Sequence, residues 1–167
     1  MPKMLDRFGL YMYYMGMNDP AFPELTFEEK FLQLMLFGGK WVAMQLDEAL
    51  VDLDLSHTKM WALKYIVESD QPMALSDLAE CTNSGRSNVT QLMDRLEAEQ
   101  LARRVPDPED RRRVLIEATS EGKQRYHAGI ERSRQVASAL MEPLNAEERR
   151  QLVEYLERVA RGVSRES

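Results

Sequence analysis

The chain has 167 residues, with 28 acidic against 22 basic side chains, a formal net charge of −6 and a pI near 5.1. That size fits one domain, or a small domain with an extension, and the acidic balance excludes a globally basic, histone-like nucleic-acid binder. The single cysteine, Cys81, excludes an intrachain disulfide and suits a reducing cytoplasm, while no apolar run approaches the roughly 20 residues of a membrane span.

Residues 1–25 are rich in Met and Tyr but are broken by Gly9, Gly16, Pro20 and Pro23. They read as an arm that packs adaptably against another part of the protein or another subunit, and not as a signal peptide. Thr26-Phe27-Glu28-Glu29 is a capping box that opens a helix running to about Leu53. Its apolar stripe (Phe27, Phe31, Leu34, Trp41, Val42, Leu50) is wide for a helix with one neighbour. Gly38-Gly39 lowers helix propensity there and allows a kink or a close crossing.

Ser56 is placed to cap a second helix, His57 to Glu68, which "SDQP" ends. Met73–Leu75 is expected as a very short strand, and Ser76 as the cap of a short helix from Asp77 to about Thr82. "TNSG" then makes a turn in which Asn83 tolerates the left-handed region. From Arg86 to about Glu99, Val89, Leu92, Met93 and Leu96 recur at helical spacing. "LARRVP" and "RRVLIEAT" are expected as two strands joined by a type I turn, Asp107-Pro108-Glu109-Asp110. A long helix over Ser120 to Met141 is interrupted at Pro143. A second capping box, Asn145-Ala146-Glu147-Glu148, opens a last helix with Leu152, Val153, Leu156, Val159 and Ala160 facing inward.

Short helix, turn, amphipathic helix and hairpin follow one another in the order of a winged helix-turn-helix, which presents its second helix to the major groove. The polar face of that helix offers Arg86, Ser87, Asn88, Thr90, Gln91 and Arg95. Asn and Gln can bond adenine in bidentate fashion, Arg can bond guanine, and Ser or Thr can reach phosphate or base. Any surface helix is polar on one side; here no acid occurs between Arg86 and Met93. Charge is segregated around it: from Ser84 to Arg125 there are nine basic and eight acidic side chains, +1 in all, which leaves −7 for the rest. Arg111, Arg112 and Arg113 stand together beyond the turn, where a wing meets the DNA backbone and the electronegative minor groove. Asp110 is two residues from Arg112 and can aim its guanidinium.

Residues 75–122 resemble the DNA-binding core of the MarR family (multiple antibiotic resistance regulators). The resemblance rests on "LSDLAE", "SNVTQLMDRLE", "LARRVPDPEDRRR" and "ATSEG", and the flanking helices extend it over roughly residues 26–162. It implies a mainly α fold: a winged helix-turn-helix with a small antiparallel β-hairpin wing, and long N- and C-terminal helices that interlock in a cytoplasmic homodimer. It also implies DNA binding relieved by small ligands or oxidants, with Arg112 entering the minor groove and Asp110 as its partner. On that pattern residues 1–54 form the arm and a dimerisation helix, 55–120 the DNA-binding region and 121–167 the C-terminal dimerisation helices. The chain departs from the pattern in three places. Gln100 stands where glycine usually follows the recognition helix, Ala118 replaces leucine in the second wing strand, and "NSG" leaves Gly85 as a cap without a side-chain acceptor.

The function expected is sequence-specific regulation of transcription, with repression favoured, at a palindromic duplex DNA operator. The alternative is a winged-helix module that binds another protein. Nothing requires an enzyme, a cofactor or a metal: His57 and His127 lie far apart, with no ligand spacing. Cys81 is expected as a buried or half-buried packing residue. Phe37, Trp41, Trp61 and Tyr65 read first as core. In the other reading Trp41, Trp61 and Tyr65 line a pocket for a small aromatic effector.

Overall fold

The computed structural model describes residues 25–110 and 113–163, and the expected arm lies outside them apart from its last residue. The chain divides between Glu48 and Ala49 into two compact units.

In the first unit the Thr26 hydroxyl accepts the Glu29 N–H at 3.2 Å, and the Glu29 carboxylate accepts the Thr26 N–H at 2.8 Å, so the capping box forms. Helix α1 (Phe27–Gln33) passes through a π-helical segment, Leu34–Gly38, into α2 (Gly39–Leu50), and a 3₁₀ turn over Val51–Leu53 ends it. The glycine pair thus marks a slip in the hydrogen-bond ladder. A Cβ on either glycine would meet nothing within 4 Å, so among the described residues no close crossing requires them.

The second unit contains α3 (His57–Glu68), β1 (Met73–Ala74), α4 (Leu75–Cys81), α5 (Arg86–Ala98), β2 (Ala102–Pro106), β3 (Val114–Ala118), α6 (Ser120–Met141) and α7 (Ala146–Val163). Ser56 caps α3 as expected. Ser76 does not cap α4: the strand β1 runs straight into the helix, Ala74 holds the cap position, and the Ser76 hydroxyl donates to Asp77 instead. The sheet is antiparallel with strand order β1-β3-β2, so the short strand joins the wing hairpin as a third member. Leu63, Leu78, Met93, Leu96, Leu101 and Ile116 fill the core where α3, α4, α5 and the sheet meet. Burying side chains of this size contributes about 1.5–3 kcal/mol each.

Three helices end alike. Asp54, Asn83 and Gln100 are the non-glycine residues with positive φ among those described. Each follows a helix, and each is bracketed by two bonds of the same kind. For α5 the Gln100 N–H donates to Glu97 O at 3.0 Å and the Leu101 N–H to Leu96 O at 2.8 Å. Asn83 and Ser84 close α4 in the same way, and Asp54 and Leu55 close the 3₁₀ turn. These are Schellman motifs built without glycine. Gln100 therefore does what glycine does elsewhere in the family pattern, at the cost of left-handed strain.

The last helix departs from expectation. Asn145 and Glu148 form the capping box, but every described side chain of α7 is exposed. Leu152, Val153, Leu156 and Val159, expected to face inward, are 38–46% exposed, because no described residue of the chain covers them. No helix among the described residues is long and apolar enough to cross a membrane.

Candidate nucleic-acid interface

Helix α5 buries Val89, Met93 and Leu96 and turns Arg86, Ser87, Asn88, Thr90, Gln91 and Arg95 to solvent. The six residues singled out in the sequence therefore share the exposed side of one helix. Its N-cap is Gly85, which supplies no side-chain acceptor, and its first turn carries no acid. Such an end, with its N–H groups and the positive end of the helix dipole, favours an anion. The Thr90 hydroxyl donates to Arg86 O at 2.8 Å, so it meets any partner through its methyl group and as an acceptor only.

The acids that begin at Asp94 are not free. Arg104, on β2, donates Nη2 to Asp94 Oδ1 at 2.6 Å and Nη1 to Glu97 Oε2, and its backbone N–H donates to Glu97 Oε1 at 3.1 Å. Sequence reasoning missed this clamp, because its members are seven and ten residues apart and meet only once the chain turns at Gln100. Asp94 in particular makes the Arg104 guanidinium hold its proton more firmly than usual.

The wing hairpin pairs Ala102 with Ala118 and Pro106 with Val114. Ala118, opposite another alanine, leaves that end of the hairpin thin. Asp107 holds the connecting turn. Asp107 is buried, and its Oδ1 accepts the N–H of Glu109 at 2.9 Å and of Asp110 at 3.4 Å, while the Asp107 N–H donates to Arg113 O at 3.1 Å. The loop thus runs from Asp107 to Arg113, and β3 begins at Val114, not within the arginine triplet. An aspartate that bonds the backbone two residues on, followed by proline, is the side-chain chemistry of a tight turn. Asp107 also lies 3.8 Å from Arg113 Nη1. Arg111 and Arg112 lie outside the described residues, and with them the expected pairing of Asp110 with Arg112.

Two other expectations change. Cys81 is exposed, not packed: it is the last residue of α4. Trp61 is 51% exposed and so is not core, whereas Trp41 is buried and Tyr65 half-buried. One cavity in the second unit, of about 740 Å³, is lined by Arg103, Glu117 and Lys123 among others.

A buried helix-turn-helix core, an exposed second helix whose residues Arg86 to Met93 include no acid and a three-stranded wing define a winged helix-turn-helix protein. A family model described as MarR family matches residues 53–113. The chain is 35% identical over 78 residues to the HTH-type transcriptional repressor NicR of Pseudomonas putida, a match spanning 47% of this chain and about half, 49%, of NicR. It is 30% identical over 111 residues to the uncharacterised HTH-type transcriptional regulator YfiV of Bacillus subtilis, covering 66% of this chain and 69% of YfiV. Its fold is similar to that of S. aureus MepR in a MepR–DNA complex, with a TM-score of 0.71 at 23% identity over 83% of this chain and 99% of MepR. The chain belongs to the MarR family of transcriptional regulators.

Proposed function

We propose that the protein is a homodimeric repressor that binds a palindromic duplex DNA operator and releases it when a small molecule binds. The observation that carries this reading is the exposed face of α5, on which Arg86, Ser87, Asn88, Thr90 and Gln91 stand without an acid among them. Such a face suits direct base readout. NicR is described as a repressor and MepR is seen with DNA, which supports the same direction. In this reading Arg111, Arg112 and Arg113 meet the backbone and minor groove, with Arg112 aimed by Asp110. Residues 55–120 bind DNA, and residues 1–54 and 121–167 build the dimer. The protein works in the cytoplasm, beside its DNA. The effector is an apolar aromatic molecule, and it acts only through its different affinity for the DNA-bound and free arrangements.

Selection of bound sites from random duplex DNA tests this. A palindromic product is expected, and Arg112→Ala should weaken binding to it by about 1–3 kcal/mol, the usual worth of one groove contact. Asn88→Ala and Gln91→Ala should change base preference more than affinity. If no duplex is enriched, the reading fails and a protein-binding module takes its place.

A further inference from the structure

We propose that Arg104 is a positioning residue for DNA recognition: it offsets one of the two charges of Asp94 and Glu97 and holds both carboxylates against the wing, so that the exposed face of α5 carries one uncompensated negative charge in place of two. The inference rests on the DNA-binding reading above.

Asp94 follows Thr90 by four residues and Gln91 by three, so it lies one turn further along the same side of the helix. Its side chain is 58% exposed and that of Glu97 39%. Left alone, two carboxylates here would stand within about 10 Å of phosphates lying along the helix, the distance over which charge is felt at about 0.1 M salt. One guanidinium spans both acids. Its place is fixed from the other side, because Arg104 is the strand residue paired with the fully buried Ile116, and its own N–H is bound by Glu97. Arg103 cannot substitute. It is the next residue on the strand and so points to the opposite face, where it pairs with Glu117, directly across the ladder, at 2.5 Å. Arg104 thus ties the recognition helix to the hairpin that carries the arginine loop, and it does so through the acids that would otherwise repel DNA.

The test measures binding of full-length protein to the duplex that wild type selects, by fluorescence anisotropy over a salt series. Three variants are compared: Arg104→Gln, Arg104→Lys, and Arg104→Gln combined with Asp94→Asn and Glu97→Gln. Arg104→Gln is expected to weaken binding about tenfold at low salt, the scale of one or two unscreened charges at this range. Arg104→Lys keeps the charge and should stay within about threefold of wild type, and the triple variant, whose cluster is neutral where that of wild type is −1, should recover to at least that level. A triple variant as weak as Arg104→Gln overturns the proposal, because Arg104 would then touch DNA itself or serve the fold alone. Wild-type affinity in Arg104→Gln overturns it as well. Should Arg104→Gln fail to fold by circular dichroism, the lysine and triple variants decide by the same limits. If wild type selects no duplex, the DNA-binding reading fails and this inference falls with it; if wild type binds and the triple variant does not recover, only this inference fails.

Discussion

A Cβ built on Gly122 would lie 1.9 Å from the carbonyl oxygen of Leu101 and 2.8 Å from its carbonyl carbon. The contact is with backbone, which cannot swing aside as a side chain can. It joins the start of α6 to the residue just past α5. Thr119 makes the same junction from the other side: its hydroxyl donates to Gln100 O at 2.6 Å and accepts the Gly122 N–H at 3.0 Å, and its own N–H donates to Leu101 O at 3.1 Å. Gly122→Ala should therefore destabilise at the upper end of the overpacking range, about 3 kcal/mol. That corresponds to a fall of about 6–12 °C in the thermal midpoint of a chain this long. A calorimetric midpoint within a degree or two of wild type would show that α6 can move away freely.

Gln100 offers the opposite case. Its φ of 59° is strained for any side chain with a Cβ. Left-handed backbone costs a non-glycine residue about 1–2 kcal/mol, and the greater freedom of glycine in the unfolded chain returns part of that, about 0.5–1 kcal/mol. Gln100→Gly should raise stability by about 0.5–1 kcal/mol, read as a higher urea midpoint at unchanged slope. A lower midpoint would mean that the glutamine side chain holds contacts worth more than the strain.

Tyr126 introduces a pH dependence. It is buried on α6, and its hydroxyl donates to Glu68 at 2.5 Å. Glu68 is itself held below the usual carboxylate range, by Lys64 first and by this hydroxyl second. Burial, and then the Glu68 carboxylate, push the Tyr126 hydroxyl from 10.0 up to about 12. The folded state thus keeps a proton that the unfolded chain releases. The stabilisation is complete below about pH 10 and is lost as pH rises toward about 12. Unfolding midpoints measured from pH 9 upward should decline more steeply in wild type than in Tyr126→Phe. Parallel declines would remove Tyr126 as the cause.

The elements legible in the sequence are those whose signal is local. The capping boxes at Thr26 and Asn145, the Ser56 cap and the 22 residues of α6 follow from side-chain chemistry and helical spacing within a few residues. The exposed face of α5 was legible for the same reason. What escaped is decided by partners distant in sequence or by none. Arg104 meets Asp94 and Glu97 only across the turn at Gln100. Cys81 is of a type that usually packs, yet it is exposed at the end of a seven-residue helix. The apolar periodicity of α7 is real; periodicity says that a face must be covered and not which chain covers it.

That face supplies the last prediction. Leu152, Leu156 and Val159 recur at helical spacing on α7, with Tyr155 beside them, and each is at least 38% exposed. A helix with such a stripe does not stay uncovered in water. In the proposed homodimer a second copy covers it, and the two recognition helices are thereby held about 34 Å apart, one turn of B-DNA. Leu156→Glu places a charge in the middle of the stripe, where the partner would have to bury it unpaired. Wild type should sediment as a dimer at micromolar concentration and Leu156→Glu largely as a monomer. The helix-turn-helix core of the variant should stay folded, since α7 adds nothing to the buried cluster. Operator binding should weaken strongly, because each half-site must then be bound separately, whereas binding to a single half-site should change little. A variant that remains dimeric, or a wild type that sediments as a monomer, would place the dimer contact elsewhere. A monomeric variant that still binds the palindrome as tightly as wild type would show that the spacing of two recognition helices is not what the operator reads.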